Sequence, residues 1–403
     1  MEPGPRAVMP DRNRYVLIIP GLRLRAPRLW QVADNAARVR AADGSGLRGS
    51  GRRAAFLIHS ESASSMRPQI FKTRITELLG IRHPILCGGL GPGVSDAAYV
   101  AAVVKAGGMG FIVSSGETDW VEEQVRTCRA TLGDLGFGVN IYISRFDEGI
   151  ERARRLIPLL ADNRVSCVET AGASPEPIIP ALREAGIKII HKVPAVKYAR
   201  SAARLDVDAI TVVGADCGGH PGVFMISTMV QAPVAAREID LPLVVGGGIG
   251  TGSQLAAALA MGADAIIMGT RMLVAEELWI HPSYKQFIAE SDGTQSVVVK
   301  QILRDHHRVL ENDSARDLLA LEDRKVTDFD AYRPHVAGKL AREAYRTGDR
   351  SRGMLDFGPA AAFATSIQSV ETIFDDMLDG ACAAISRMSA LTARQVQDAD
   401  AVG

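Results

Sequence analysis

Aromatic side chains are scarce in this chain, at 5% of its residues. No apolar run reaches the roughly 18–20 residues that a helix needs to cross a bilayer, so no membrane span is expected. Charge of either sign is not in excess: Lys plus Arg and Asp plus Glu balance to a formal net charge of 0. That balance removes the general electrostatic case for nucleic acid or an anionic membrane surface as partner. Five cysteines (Cys87, Cys128, Cys167, Cys217 and Cys382) form no C-x-x-C pair and no spaced metal framework. Three of them fall in or beside apolar runs, which predicts buried, reduced thiols in a cytoplasmic protein. Lysine is missing from the first 71 residues, and residues 1–65 hold eleven Arg against five acidic residues. This segment is read as a disordered or non-native extension, with Met66 as the functional start; the competing reading is a targeting peptide.

What the chain does have is small and aliphatic side chains, with 39 Gly and 47% hydrophobic residues among 403. Its length suits a barrel of about 250 residues with additions. From Thr73 onward, short apolar runs alternate with amphipathic stretches of helical length. Strands are predicted at Pro84–Gly88, Met109–Ser115, Phe137–Ile143, Ser166–Ala171, Lys188–Val193, Ala209–Gly214, Pro242–Gly247 and Ala265–Gly269. Helices are predicted between them, and the repeat averages about 26 residues, the size of one βα unit. Runs such as Leu243-Val244-Val245 are continuously apolar, as strands covered on both faces require. Eight units in series predict an α/β fold of the (β/α)8 TIM-barrel type at residues 66–278. A doubly wound open sheet is the alternative, but it would carry its glycine fingerprint after the first strand. Past strand eight the pattern predicts a helix from Arg271 and a small, charged helical subdomain over 279–348. A closing helix within Ala360–Leu378 follows, in a segment of residues 349–403.

Two glycine-bearing turns carry chemistry. Gly246-Gly247-Gly248-Ile249-Gly250 ends strand seven, and Gly269-Thr270 ends strand eight. Glycine lets backbone N–H groups approach an anion, and a following helix adds its positive end. Either turn alone is often only a turn; together, on strands seven and eight, they predict a phosphate site. His220 stands on a glycine-flanked loop at a strand end, where an imidazole of ordinary pKa can take or return a proton; the plainer reading is a solvated loop side chain. Lys192 ends an apolar run, so it either reaches a partner in the barrel mouth or snorkels to solvent. Asn140, able to donate and accept, suits a polar ligand edge or caps a turn. Glu169 and Asp216 receive no role. The His306-His307 pair, read as helical, points two ways and is not taken as a metal site, so no metal is expected.

Gly138-Val139-Asn140, His191-Lys192-Val193, Gly218-Gly219-His220-Pro221-Gly222, Gly246–Gly250 and Met268–Arg271 occur in the order found in the nitronate monooxygenase family. The chain resembles that family, once called 2-nitropropane dioxygenases, and its FMN-dependent NAD(P)H:quinone reductase and enoyl reductase relatives. The similarity covers Thr73 to at least His281. It implies a non-covalent FMN across the barrel mouth, with Gly88, Gly89 and Leu90 beneath the ring system. Asn140 and Lys192 would meet its polar edge, and Gly246, Gly247, Gly248, Gly269 and Thr270 its phosphate. Gly218 would lie beside it, and His220 would be catalytic, facing a small-molecule substrate. Val223-Phe224-Met225 stands where some relatives carry acidic residues and points to a hydrophobic mouth. The implied activities are oxidation of alkyl nitronates with O2 to carbonyl compounds and nitrite, or NAD(P)H-dependent reduction of a quinone or enoyl acceptor. A flavin-free phosphate-binding isomerase or aldolase, using Lys192, is the alternative from outside the family. A homo-oligomer is compatible with either.

Overall fold

The structure, a computed structural model, describes residues 68, 70–115, 117–143 and 147–400. The expectation for residues 1–65 lies outside the described residues. Eight parallel strands form in chain order: β1 (Ile85–Cys87), β2 (Met109–Val113), β3 (Gly138–Ile143), β4 (Cys167–Gly172), β5 (Lys188–Val193), β6 (Ala209–Val213), β7 (Leu243–Gly246) and β8 (Ala265–Met268). Each pairs with the next, and β8 pairs with β1, so the sheet closes into a barrel. Helix α1 (Arg74–Leu79) precedes β1. The crossovers are α2 (Ala97–Lys105), α3 (Thr118–Leu132), α4 (Asp147–Asp162), α5 (Ile179–Glu184), α6 (Val196–Ala202), α7 (Thr228–Glu238) and α8 (Gly252–Ala260). This is the (β/α)8 barrel that the repeat predicts, and each strand lies within two residues of its expected bounds.

Alternation along the strands sorts their side chains. Ile85, Ile112, Val139, Val168, Ile189, Ile210, Val245 and Ile266 face the helical ring in one large core. Leu86, Phe111, Cys167, Ile190, Ala209, Val244 and Ala265 belong to a second, separate core inside the barrel. Ile75 and Leu79 of α1 join that inner core, so α1 plugs the N-terminal mouth. Its Arg74 holds it there through two hydrogen bonds to Asp264, at 2.9 and 2.6 Å. One alternation further along the strands the inner positions turn polar: Asn140, Glu169, Lys192 and Thr211 stand two residues after Gly138, Cys167, Ile190 and Ala209. The barrel is therefore oily at its bottom and polar at its C-terminal mouth.

Beyond β8 the structure departs from the helical expectation in three places. Thr270–Val274 is a 3-10 turn, not the start of an α-helix. After α9 (Pro282–Ala289) comes an antiparallel hairpin, β9 (Ser296–Val299) and β10 (His307–Leu310), which the charged composition of this stretch concealed. The β-branched Val297-Val298-Val299 run is its local cause. Helices α10 (Asp313–Asp323), α11 (Phe329–Val336) and α12 (Gly338–Thr347) then cover the hairpin with their own core of Val299, Val309, Leu318, Leu321 and Tyr332. Ala360 lies in a second 3-10 turn, Pro359–Phe363, and the closing helix α13 runs over Val370–Asp400. Among the described residues no helix is long and apolar enough to cross a membrane.

Candidate functional site

A cavity of about 850 Å3 opens at the C-terminal ends of the strands, inside the roughly 300–1,000 Å3 range of cofactor and small-molecule sites. Gly88, Gly89, Leu90, Asn140, Lys192, Gly218, His220, Gly247, Gly248, Gly269 and Thr270 all line it. Gly246 does not: it is the last residue of β7, and a side chain there would run into Ile267 within the barrel wall. Its expected place at the phosphate is therefore not where the structure puts it; the turn begins one residue later.

The floor of the cavity is organised by Glu169, to which the sequence assigned nothing. The side chain is fully buried, and its Oε2 accepts from Asn140 Nδ2 at 2.8 Å and from Lys192 Nζ at 2.7 Å. A buried carboxylate is costly unless ion-paired and hydrogen-bonded, and both conditions are met here. Lys192 thus has the partner that the snorkelling alternative denied it, while keeping about a quarter of its side chain open to the cavity. Glu169 Oε1 and Thr211 Oγ1 are buried with no protein partner, leaving polar capacity beneath the mouth. His191, next in the chain to Lys192, is paired with Thr170 at 2.9 Å, and burial pushes its imidazole down to about 4. It is a neutral wall residue, not a second base.

On the opposite side, Gly247 and Gly248 adopt φ of +100° and +74°. Glycine is needed at both for a further reason: a Cβ on Gly247 would lie 2.8 Å from Gly214 O, and one on Gly248 would lie 2.8 Å from Asp216 Cβ. Thr228 Oγ1 engages the carbonyls of Gly246 and Gly247 at 2.7 and 2.8 Å, and Gly248 O accepts from Gln254 Nε2 at 2.8 Å. Among the described residues, the amides of Gly248, Ile249 and Gly269 donate to no protein acceptor. A loop with its carbonyls satisfied and its amides free is a donor-only cradle, which suits a phosphate dianion. Thr270 Oγ1 accepts from Gly358 N at 3.1 Å and retains its own proton for an acceptor. Asp216, unassigned from the sequence, accepts from Thr228 N at 3.2 Å and steadies the start of α7.

His220 stands at the rim with about half of its side chain exposed. Its ring stacks on His307, with centroids 4.1 Å apart and planes 19° from parallel. His307 Nε2 lies 2.6 Å from Asp356 Oδ1, and His220 Nε2 lies 3.9 Å from Asp305 Oδ1. Asp305 is itself held by Lys300 at 2.6 Å. Restricted hydration, with His307 and Lys300 beside it, pushes the His220 imidazole well below its ordinary value. Burial alone would raise the Asp356 carboxyl, but His307 outweighs it and holds Asp356 below the usual carboxylate range. The sequence reading treated His307 as helical. It begins strand β10 instead, and its ring is engaged by Asp356 and His220. No local pattern marks Asp356, His307 or Asp305, because only the hairpin brings them to the mouth; for Glu169 the signal was an acid at an inward strand position.

A profile of the family described as nitronate monooxygenase matches residues 72–155 and 144–380. The chain is 34% identical over 247 residues to a (3aS,4S,5R,7aS)-5-hydroxy-7a-methyl-1-oxo-octahydro-1H-indene-4-carboxyl-CoA dehydrogenase of Rhodococcus jostii, covering 61% of this chain and 68% of that one. It is 26% identical over 318 residues to a probable nitronate monooxygenase of Staphylococcus saprophyticus, covering 69% and 88%. Among solved structures, FabK from Thermotoga maritima superposes with a TM-score of 0.72 at 30% identity, over 80% of this chain and 99% of that one.

Proposed function

The chain belongs to the nitronate monooxygenase family, and from that premise we propose that this oxidoreductase binds FMN in the barrel mouth and oxidises alkyl nitronates with O2 to carbonyl compounds and nitrite. The observation that carries the flavin reading is the pairing of two unlike walls in one cavity. The Glu169-anchored Asn140 and Lys192 form one, and the free amides of Gly248, Ile249 and Gly269 form the other. The first offers a cation and a donor–acceptor amide to a polar ring edge; the second offers donors alone to a phosphate. Gly88, Gly89 and Leu90 leave an open wall between them for a flat group. Bound FMN supplies the electron transfer that no protein side chain here can perform. The chain's own contribution is to fix that group, to place a positive charge at its edge, and to set His220 where it can move or hold a proton on the substrate. Lys192 Nζ is engaged by Glu169 at 2.7 Å, which tells against a flavin-free reaction that needs it as a free nucleophile.

One observation favours a second reading, an NAD(P)H-dependent reductase of a quinone or enoyl acceptor. The rim beyond His220 is apolar and exposed: Phe224, Met225 and Ile226 keep 44%, 37% and 38% of their surface in solvent. Tyr198 tilts toward Phe224 at 6.1 Å. Such a rim suits a substrate with an extended apolar body better than a short nitronate. Anaerobic mixing of purified, flavin-loaded protein with NADH, NADPH or propyl-2-nitronate separates the readings, followed by flavin absorbance near ~450 nm. Loss of absorbance with nitronate alone supports the oxidase reading. Loss with a nicotinamide alone transfers the assignment to a reductase, and a protein that takes up no flavin ends both.

A further inference from the structure

The hairpin β9–β10 does more than cover the barrel rim. Strand β10 gives one edge to β9 and holds two segments that reach the cavity on the edge left free. Toward its start Gly219 and Arg308 exchange hydrogen bonds, Gly219 N to Arg308 O at 2.9 Å and Arg308 N to Gly219 O at 2.6 Å. Further along the same edge Val309 bridges Asp356, and Leu310 N donates to Leu355 O at 2.8 Å. The loop that carries His220 and the segment that carries Asp356 are therefore held side by side along one edge of the strand that begins with His307. Arg308 adds bonds from its guanidinium to Ala215 O at 3.3 and 3.2 Å, tying the loop down a second time.

We infer that His307 and Asp356 are positioning residues for His220: Asp356 orients the His307 ring, and that ring, stacked on His220, sets its plane at the cavity rim and disfavours a second charge beside it. The chemistry of the three groups leads there. A carboxylate at 2.6 Å can only accept, so His307 carries its proton on Nε2. His307 Nδ1 is buried without a protein partner. The contact with Asp356 is thus the one hydrogen bond that fixes the orientation of the ring, while its face is left for His220. A general base is useful only while it is unprotonated, and crowding beside a second imidazole extends that condition to lower pH. The other charged groups at this end of the cavity are Lys300, Arg304, Asp305, His306 and Arg308 from the hairpin, Asp216 from the His220 loop, and Lys192 from β5. Restricted hydration acts most strongly on His220, and with Asp305 and Lys300 offsetting one another at 2.6 Å the stacked ring is the leading neighbour.

This inference rests on His220 acting on substrate, but its test separates the two. In the flavin-loaded protein, the ring nitrogen shifts of His220 are titrated between roughly pH 3 and 8 by NMR. In the wild type His220 stays neutral through most of that window. In His307→Phe, which keeps a stacking ring without its polar edge, His220 begins to protonate about one pH unit higher, and kcat/KM at the acid end falls about fivefold with KM little changed. His307→Gln serves as a second variant should the first not fold, with the same upward movement expected. Asp356→Glu retains more of the wild-type kcat than Asp356→Asn. If the His220 titration in both His307 variants superimposes on the wild type, or wild-type His220 titrates at its ordinary value, the positioning role is overturned. A shifted titration without a kinetic effect would instead leave the His307 pair intact and remove His220 from the reaction.

Discussion

Glu169 is the residue on which the cavity floor depends. One carboxylate oxygen serves both Asn140 and Lys192, and its burial means water cannot replace it. Glu169→Leu would leave the Lys192 ammonium and the Asn140 amide without their acceptor in the barrel interior. A buried pair broken from one side costs about 3–5 kcal/mol. Lys192 keeps a quarter of its side chain open to the cavity, so a loss on the order of 2 kcal/mol is expected. Urea unfolding measures it; a variant as stable as the wild type would show that Glu169 is not the organiser of this floor. The sequence exposed half of this arrangement. Lys192 was visible as a cation within an apolar run, but its partner lay on the neighbouring strand, and pairing across strands depends on register that no local pattern carries.

At the scale of elements, the contact that closes the molecule is made by two glycines. Gly252, the first residue of α8, would place a Cβ 2.2 Å from Met377 O and 2.4 Å from Ala381 N of α13, and Gly380 packs back against Gly252 Cα. Backbone thus meets backbone where the closing helix crosses α8, the barrel's seventh crossover, with no flexible side chain to yield. Gly252→Val should therefore destabilise by about 1–3 kcal/mol through overpacking, read as a lowered thermal midpoint. An unchanged midpoint would mean that α13 is free to slide. The same variant should leave flavin affinity nearly unaltered, because Gly252 does not line the cavity. The hairpin is the opposite case. Its four-residue strands are too short and too charged in context to be read as strands, yet they fix the geometry of His220 by pairing with a loop 89 positions away in the sequence.

For the whole molecule, the barrel should gain stability when its mouth is filled. A ligand held at a hundred times its dissociation constant stabilises the folded state by about 2.7 kcal/mol, which for a domain of this size raises the midpoint by roughly 4 °C. Thermal unfolding of the flavin-free protein with and without FMN tests this, with riboflavin as the control that lacks the phosphate. A rise with FMN and little with riboflavin would support the donor-only cradle; equal rises would remove the phosphate from the account, and no rise with either would remove the flavin. Much of this architecture was determined by the sequence alone. Eight apolar runs at one spacing, with amphipathic stretches between them, call for a parallel sheet covered on both faces, and glycine turns after strands seven and eight instead of the first favour the closed barrel over an open sheet. Gly247-Gly248 and Gly269-Thr270 marked one wall of the cavity because their place after the seventh and eighth strands is local information. The tertiary structure alone decided that Gly246 stays in the wall, that Glu169 joins Asn140 to Lys192, and that His307 and Asp356 back His220. Each of these depends on register or on a contact between distant segments, and the free energy of such contacts exists only once the chain has closed the barrel and laid the hairpin across its rim.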